Sequence, residues 1–310
     1  MKRIFFHMGY PKCLSTTLQK SIFTKHTEIN YGGVVFGDNI HYKNESIELL
    51  FESILKYSNN HFYQSYLAEH KDVLTKFIDN SDLPVVFSSE HMSMNFTLQG
   101  IDSLTKYQRI KEIFDNYSIN ILLIKRNPIS IIRSLYSEFL KMGYSETYDE
   151  FLNWIIRYSD RNFLLELNYI KKENQLRSIF GDINITWLDF EEVTKNGIQQ
   201  NINKFISEWL SISNLNLDCK IHNKSLTPNQ LKSLLEMNKN VKRELGLSQT
   251  EPFEKHRSKL ILQKFGEAES FIFENVRQKR LAIDSIVEMG GDFKLSNDEL
   301  ENKIINIIYE

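Results

Sequence analysis

The chain has 310 residues, of which 41% are hydrophobic, and its formal net charge is −2 at neutral pH. This length can bury a large core, as one big α/β domain or two small ones. The near balance of both charge signs argues against a general nucleic-acid binder, which needs a basic face to neutralise phosphates. The 2 cysteines, Cys13 and Cys219, are too few for a disulfide framework and fit a reducing compartment.

The beginning of the chain does not resemble a secretion signal, because His7 and Gly9 interrupt its short apolar run. No stretch approaches the roughly 20 apolar residues that a membrane-spanning helix needs. These features predict a cytoplasmic protein without a membrane span.

Apolar, β-branched runs of strand length recur along the first two thirds of the chain, and polar turns followed by helical periodicity come after them. Such runs, alternating with helices, predict a parallel sheet covered on both faces. The predicted strands are Ile4–His7, Pro84–Ser88, Ile119–Ile124 and Ile183–Leu188.

Helical periodicity separates these strands and dominates the later part of the chain. With only 5 prolines and no break in composition, residues 1–310 are predicted to form a single domain, whose C-terminal portion from about residue 225 is helical. Pro228 suits the start of a helix at Asn229. The other predicted helices include Thr16–Thr24, Ser46–Ser58, Gln64–Ile78, Ser130–Lys141, Tyr148–Tyr158 and Ile198–Leu210.

The stretch HMGYPKCLSTTLQ, residues 7–19, joins the first predicted strand to the first predicted helix. The helix would begin with Ser15, Thr16 and Thr17, whose main-chain N–H groups are donors at a positive helix end. The Lys12 ammonium and the hydroxyls would add to that end, which predicts a site for a multiply charged anion. The alternative is that these hydroxyls only cap the helix.

Two further segments follow strands whose carboxyl ends are expected at the same edge of the sheet. In PVVFSSEHM, the Glu90-His91 pair emerges from a buried strand, and either side chain is a candidate for the same cleft. In INILLIKRNPISIIRS, Arg126 stands where the strand leaves the core, and Ser134 follows 8 residues later in a helix. Taken alone, each has an ordinary interpretation, as a capping acid or a surface arginine.

Together the three segments resemble the sulfotransferases that use 3′-phosphoadenosine-5′-phosphosulfate (PAPS), over roughly residues 1–240. The family's 5′-phosphosulfate loop, Pro-Lys-x-Gly-Thr-Thr, corresponds to residues 11–16, and its Arg-x-Pro motif with a later Ser corresponds to Arg126 and Ser134. The segment WLDFEE resembles a family strand whose aromatic residue lies near the adenine, and NKSLTP is similar to a segment of bacterial members. The resemblance implies that the nucleotide is bound by Lys12, Cys13, Leu14, Ser15, Thr16, Thr17, Arg126, Ser134, Phe190, Asn223 and Lys224.

The resemblance also implies the chemistry. Lys12 would stabilise the leaving phosphate without a metal, and the general base would be Glu90, as in sulfotransferases that act on carbohydrates. His91 is the competing base, and we expect only one of the two to face the site because neighbours on an extended segment alternate. The expected product is 3′-phosphoadenosine-5′-phosphate (PAP), and the expected acceptor is a carbohydrate or glycolipid bearing a hydroxyl or amine.

Leu14 departs from the family pattern, which has Gly at this position. A Gly there serves a turn with positive φ or a close backbone approach. Leucine predicts either that the loop reaches a similar shape with a negative φ, or that the phosphosulfate sits differently.

Other functions fit the residues less well. A P-loop kinase needs Gly-Lys-Ser/Thr, which is absent from the sequence, and a cysteine-dependent phosphatase would need an arginine where Gln19 stands. A non-catalytic nucleotide-binding protein that lost activity through Leu14 is the third alternative. The histidines and cysteines show no metal-ligand spacing. Lys255, Arg257 and Lys259 are weak candidates for holding a 3′-phosphate.

Overall fold

The structure is a computed structural model and describes residues 1–34, 44–56, 58–94, 101–141, 143–160, 162–181, 184–195, 198–213, 215, 226–245 and 295–310. Within these ranges, 5 parallel strands form one sheet of order β2-β3-β1-β4-β5. The strands are β1 (Arg3–Met8), β2 (Asn30–Val34), β3 (Val85–Ser89), β4 (Ser118–Lys125) and β5 (Asn184–Asp189).

The centre of the sheet is made of the continuous apolar runs. Strand β1 pairs with β3 on one side and with β4 on the other, so that Phe6 stands opposite both Phe87 and Ile121. These side chains are buried, as expected for parallel strands that are covered on both faces. The predicted α/β fold with a helix-flanked parallel sheet is confirmed.

Helices connect the strands and follow them. They are α1 (Ser15–Thr17), α2 (Glu45–Lys56), α3 (Asn60–Asp79), α4 (Ser103–Phe114), α5 (Pro128–Lys141), α6 (Tyr148–Arg157), α7 (Tyr169–Phe180), α8 (Phe190–Lys195), α9 (Ile198–Leu210), α10 (Pro228–Leu245) and α11 (Asn297–Tyr309). Short 3₁₀ turns occur at Glu90–Met92 and Leu164–Leu167. Residues 246–294, predicted helical, lie outside the described residues.

Side-chain caps explain where several helices begin. Asn59, Asp102 and Asn168 each accept a hydrogen bond from a main-chain N–H in the first turn of α3, α4 and α7. Thr147 and Glu150 form a capping box at α6. Each cap satisfies a donor that the helix itself leaves unpaired, which is worth about 1 kcal/mol.

The helix after β1 differs from its prediction. Only Ser15–Thr17 is α-helical, and Leu18–Phe23 continues as a π-helix, in which the Thr24 N–H donates to the Gln19 carbonyl at 3.1 Å. Such wide turns are rare and are frequent near functional sites. The predicted helix at Thr16–Thr24 is therefore found at this position, most of it as π-helix.

The chain divides into two compact units. The first comprises Met1–Asn95, Gln99–Asn127 and Glu166–Asn223 and contains the sheet. The second comprises Phe96–Leu98, Pro128–Leu165 and Lys224–Glu310. The single domain expected from the sequence therefore stays a prediction.

Polar contacts fasten the helices of the second unit. Arg133 on α5 makes a two-point ion pair with Glu301 on α11, at 2.8 and 2.7 Å. The Tyr148 hydroxyl also donates to Glu301, at 2.8 Å. The Asn238 amide donates to main-chain carbonyls at the end of α5 and just beyond it. Among the described helices, none is long and apolar enough to cross a membrane.

His7 is a buried polar group in the central strand. Its Nδ1 lies 2.8 Å from the Ser88 hydroxyl, while Nε2 is buried without a hydrogen-bond partner. Burial lowers the pKa of His7 from 6.5 to about 3, so the folded protein keeps the imidazole neutral. Protonation in the unfolded chain therefore competes with folding as the pH falls below 6.5.

We expect His7→Asn to reduce the acid sensitivity of the fold. Between pH 6.5 and about 3 the unfolded wild type binds one more proton at this site than the folded state. Its stability therefore falls with decreasing pH by about 1.4 kcal/mol per pH unit from this group. Asparagine can still bond Ser88 but does not titrate. Urea unfolding at pH 7, 6 and 5 should show the wild type losing stability relative to His7→Asn as the pH falls, and a difference that does not change with pH would contradict the prediction.

Candidate active site at the carboxyl edge of the sheet

Three loops meet at one edge of the sheet. Because β1 lies between β3 and β4, the segments that follow these parallel strands leave the sheet side by side. The first segment contains Lys12, the second contains Glu90 and the third contains Arg126. Their predicted adjacency is confirmed by the strand order.

The loop after β1 contains two residues with left-handed main chains. Lys12 has a φ of 62° and Leu14 a φ of 63°. For a residue with a Cβ, this conformation costs about 1–2 kcal/mol. The expectation of a negative φ at Leu14 is therefore wrong. Leu14 adopts a conformation that glycine would reach without strain, in spite of its side chain.

Leu14 also occupies the N-cap position of α1, where it makes no side-chain hydrogen bond. Ser, Thr, Asp or Asn at this position would satisfy one of the first main-chain N–H groups of the helix. A leucine cannot do this, so the first main-chain N–H groups of α1 remain available to another acceptor. Leu14 itself has a strained main chain. Strain that local structure does not explain is a reason to look for a ligand there.

The predicted anion-binding side chains of this loop have different surroundings. The Ser15 hydroxyl donates to the Tyr10 carbonyl at 3.2 Å, so an anion would have to compete for its proton. Thr17 is buried, whereas Thr16 and Lys12 are partly exposed. The main-chain N–H groups, Lys12 and Thr16 are therefore better suited to an anion than the hydroxyls of Ser15 and Thr17.

Cys13 is fully buried. Burial raises the pKa of its thiol well above the ordinary value; Arg126 opposes this rise, and Glu90 and Glu191 add to it. A reactive thiolate needs the reverse, a depressed pKa and access. This environment excludes Cys13 as a phosphatase nucleophile and places the three charged residues within electrostatic range of the loop.

Arg126 joins the loop to the end of β4. Its Nη1 donates to the Lys12 carbonyl at 2.8 Å, and its guanidinium lies over the Phe190 ring at 4.3 Å. Its Nε is buried without a hydrogen-bond partner. Arg126 thus anchors the loop and is also a candidate for binding the nucleotide. The sequence predicted only the second of these roles.

Tyr169 and Glu191 hold the main chain around Arg126, and the sequence predicted neither contact. The Tyr169 hydroxyl donates to the Arg126 carbonyl at 2.5 Å and accepts from the Arg126 N–H at 3.2 Å. A Glu191 carboxylate oxygen accepts from the Asn127 N–H at 3.2 Å. Glu191 belongs to the WLDFEE segment, but nothing in the sequence indicates this contact.

Glu90 lies against the first loop. A Cβ built on Gly9 would stand 3.3 Å from Glu90 Cγ, 3.1 Å from His7 Cε1 and 2.4 Å from Ser15 Oγ. Gly9 therefore allows these three side chains to converge, and any larger residue would push them apart.

The expected alternation of Glu90 and His91 along an extended segment is wrong. The strand ends at Ser89, and Glu90–Met92 forms a 3₁₀ turn, so alternation along an extended segment does not apply. The proximity of Glu90 to Gly9 is the structural observation that favours Glu90 instead.

The remaining predicted site residues are not brought to this edge by the described contacts. Ser134 lies on α5, in the second unit, where it is partly exposed. Asn223, Lys224, Lys255, Arg257 and Lys259 lie outside the described residues. The nucleotide-binding roles given to these residues stay predictions, as does the adenine contact of Phe190.

The sheet and its first loop define an α/β protein with a P-loop-like fold. No protein-family model and no curated protein matches the chain. A solved sulfotransferase from Alicyclobacillus acidocaldarius is similar at 15% identity and a TM-score of 0.48, over 77% of this chain and 93% of that one. Mouse sulfotransferase SULT7A1, complexed with PAP, is similar at 12% identity and a TM-score of 0.38, over 98% and 88%. At these values the likeness does not establish the ligand or activity of this chain.

Replacing Leu14 tests the left-handed turn. Leu14→Gly and Leu14→Ala both remove the side chain, but only glycine adopts a φ of 63° without steric cost. We expect the glycine variant to be about 1 kcal/mol more stable than the alanine variant in urea unfolding. An alanine variant as stable as the glycine variant would show that position 14 is not left-handed.

Proposed function

We propose that the protein is a sulfotransferase that takes a sulfuryl group from PAPS and transfers it to a hydroxyl or amine of a carbohydrate or glycolipid. The observation that carries the proposal is the meeting of Lys12, Arg126 and Glu90 at one edge of the sheet. Arg126 holds the Lys12 carbonyl, and Glu90 packs against Gly9. The cations Lys12 and Arg126 can bind the phosphates of PAPS, and the Glu90 carboxylate can take a proton from the sulfate acceptor. All three residues lie in one group of loops.

The loop fits a 5′-phosphate in three respects. It follows a buried strand and enters a helix whose N-cap side chain does not bond the helix. Its two left-handed residues are of the kind that turns successive N–H groups into an anion-binding concavity. Lys12 adds a full positive charge. These features support phosphate binding independently of the hydroxyls.

The donor, when bound, supplies a sulfuryl group carried on a phosphate leaving group. Negative charge grows on that phosphate as the group departs, and the Lys12 ammonium with the loop N–H groups would stabilise it. The buried, unpartnered Nε of Arg126 fits a ligand that carries several anionic oxygens. By the family motif this ligand group is the 3′-phosphate, with Ser134 as the second residue.

Glu90 is the proposed general base. An acceptor hydroxyl must lose its proton during transfer, and a carboxylate within hydrogen-bond reach can take it. The preference for a carbohydrate acceptor rests on the acid at position 90. His91 remains the alternative base.

The other functional interpretations lose support. A P-loop kinase places its lysine inside the helix start, whereas Lys12 precedes α1. The non-catalytic interpretation depended on Leu14 changing the loop, and Leu14 instead keeps the conformation that glycine favours. The predicted cytoplasmic location does not help to choose between a kinase and a non-catalytic protein.

We expect PAP to bind with nearly equal affinity with and without Mg²⁺, because Lys12 and main-chain donors supply the positive charge. Lys12→Met should weaken PAP about tenfold or more, the loss typical of a charge-assisted hydrogen bond. Lys25→Met, at an exposed lysine after the π-helix, is the matched control and should bind like wild type. Isothermal titration calorimetry measures the Kd for PAP of the wild type, Lys12→Met and Lys25→Met.

Two results of that titration would contradict the proposal. Binding of ATP only with Mg²⁺, and none of PAP, would favour a kinase. Equal losses in Lys12→Met and Lys25→Met would show that Lys12 is not at the nucleotide.

A screen with labelled PAPS, beginning with glycans and lipid-linked sugars, should identify an acceptor. On that acceptor we expect Glu90→Gln to reduce turnover by about a hundredfold or more with PAP affinity unchanged, as for a lost general base. His91→Asn is the control and should reduce turnover far less. An inactive His91→Asn beside a fully active Glu90→Gln would reverse the assignment and remove the reason for preferring a carbohydrate.

A further inference from the structure

Two buried lysines lie beneath the turn that contains Glu90. Lys106 on α4 and Lys172 on α7 are each only 1% exposed. Lysines are almost never buried to this extent unless their charge is compensated, because removing an ammonium from water is costly. Glu166 compensates Lys172 through an ion pair, and Tyr107 lies 5.4 Å from the Lys172 ammonium.

Both ammonium groups donate to main-chain carbonyls just after Glu90. Lys106 Nζ lies 2.8 Å from the His91 carbonyl oxygen, and Lys172 Nζ lies 3.1 Å from that of Ser93. A 3₁₀ turn leaves its last carbonyls without partners inside the turn, and a nearby lysine can satisfy them. Lys106 and Lys172 therefore act as side-chain caps at the C-terminal end of Glu90–Met92.

The opposite side of the turn is fastened to β1. The Gly9 N–H donates to the Ser89 carbonyl at 3.2 Å, and the Ser93 hydroxyl donates to the Met8 carbonyl at 2.9 Å. The Glu90 carbonyl itself accepts from the N–H groups of Ser93 and Met94, both at 3.1 Å. The main chain of Glu90 is thus held between the end of β1 and the two lysines.

The contacts of Lys172 also extend to the loop after β1, which contains Lys12. Glu166 accepts from Lys172 and, at 2.8 Å, from the Ser103 hydroxyl. Its main-chain carbonyl accepts from the Tyr10 hydroxyl at 2.9 Å. Tyr10 immediately precedes Pro11 and Lys12, so one buried cluster supports both the loop of Lys12 and the turn of Glu90.

Packing alone does not require these charges. A methionine would fill a similar volume without the penalty of burying an ammonium, and such replacements are often neutral or stabilising. Burial and the neighbouring Lys172 lower the pKa of Lys106 to about 7, against the opposing influence of Glu166 and Asp102. What methionine lacks is the donor to the His91 carbonyl.

We infer that Lys106 and Lys172 are positioning residues that hold the Glu90 turn against the Lys12 loop through the carbonyls of His91 and Ser93. The inference rests on the proposed function, in which Glu90 is the base. Neither lysine is assigned a contact with substrate. Their effect on turnover passes through the geometry of the turn.

Hydrogen exchange tests whether Lys106 holds the Glu90 turn in place, and it needs no sulfate acceptor. In Lys106→Met, the amides of Ser93 and Met94 should exchange about tenfold faster or more, because the turn loses the hydrogen bond from Lys106 to the His91 carbonyl. Amides of β4 should exchange as in wild type. Lys111→Met, on the same helix, is the matched control and should leave all of these rates unchanged. Unchanged exchange of Ser93 and Met94 in Lys106→Met overturns the inference.

Kinetics on the acceptor found with labelled PAPS test the functional part. Lys106→Met should lower kcat about tenfold or more, since small misplacements of a reacting group have large effects, while the Kd for PAP stays unchanged. Lys106→Gln keeps an N–H donor and should recover most of the loss. If Lys106→Met does not fold, Lys172→Met combined with Glu166→Gln makes the same test without leaving a buried carboxylate unpaired.

A double-mutant cycle separates the two proposals. If Lys106 acts through Glu90, adding Lys106→Met to Glu90→Gln should cause little further loss of kcat. Fully additive losses would overturn the positioning inference and leave Glu90 as the base. Full turnover in Glu90→Gln would overturn the proposed base, whatever Lys106→Met does to exchange.

Discussion

The hydrogen bond from Arg126 to the Lys12 carbonyl is the interaction on which the candidate site depends. It joins the loop after β1 to the end of β4, two strands that are neighbours only because β1 occupies the centre of the sheet. The guanidinium is fixed in turn by the Phe190 ring, and the Arg126 main chain by the Tyr169 hydroxyl. A lysine at this position would keep the charge and lose the planar group that stacks on an aromatic ring and donates at a fixed angle.

This anchor helps to explain how the loop holds two left-handed residues that carry side chains. Left-handed main chains at Lys12 and Leu14 each cost about 1–2 kcal/mol. A captured carbonyl at Lys12, together with the Leu18 N–H donating to the Leu14 carbonyl at 2.9 Å, offsets part of that cost. Leu14 provides no side-chain cap for α1, so its own side chain adds no hydrogen bond at the start of the helix.

The sequence predicted the centre of the fold because buried parallel strands are continuous apolar runs, and β1, β3, β4 and β5 were found close to their observed bounds. It missed β2, whose Gly32-Gly33 pair weakens any strand signal. Gly32 is required there because a Cβ would meet the Phe87 ring at 2.2 Å, a contact that only the tertiary structure reveals. The placement of the segments with Lys12, Glu90 and Arg126 side by side was predictable from topology. The sign of φ at Leu14, the 3₁₀ turn at Glu90 and the anchoring role of Arg126 were not, because each depends on contacts between segments far apart in the chain.

The turn of Glu90 shows why buried charge can be useful in such a site. Three residues of 3₁₀ helix cannot hold a side chain in place by themselves, since the turn closes few hydrogen bonds of its own. Apolar packing would stabilise the surrounding helices but would leave the carbonyls of His91 and Ser93 unsatisfied. Lysines reach these carbonyls from two helices at once, and Glu166 links one of them to Tyr10 beside the loop of Lys12. A displacement of the helix that bears Lys172 would therefore act on both the turn of Glu90 and the loop of Lys12.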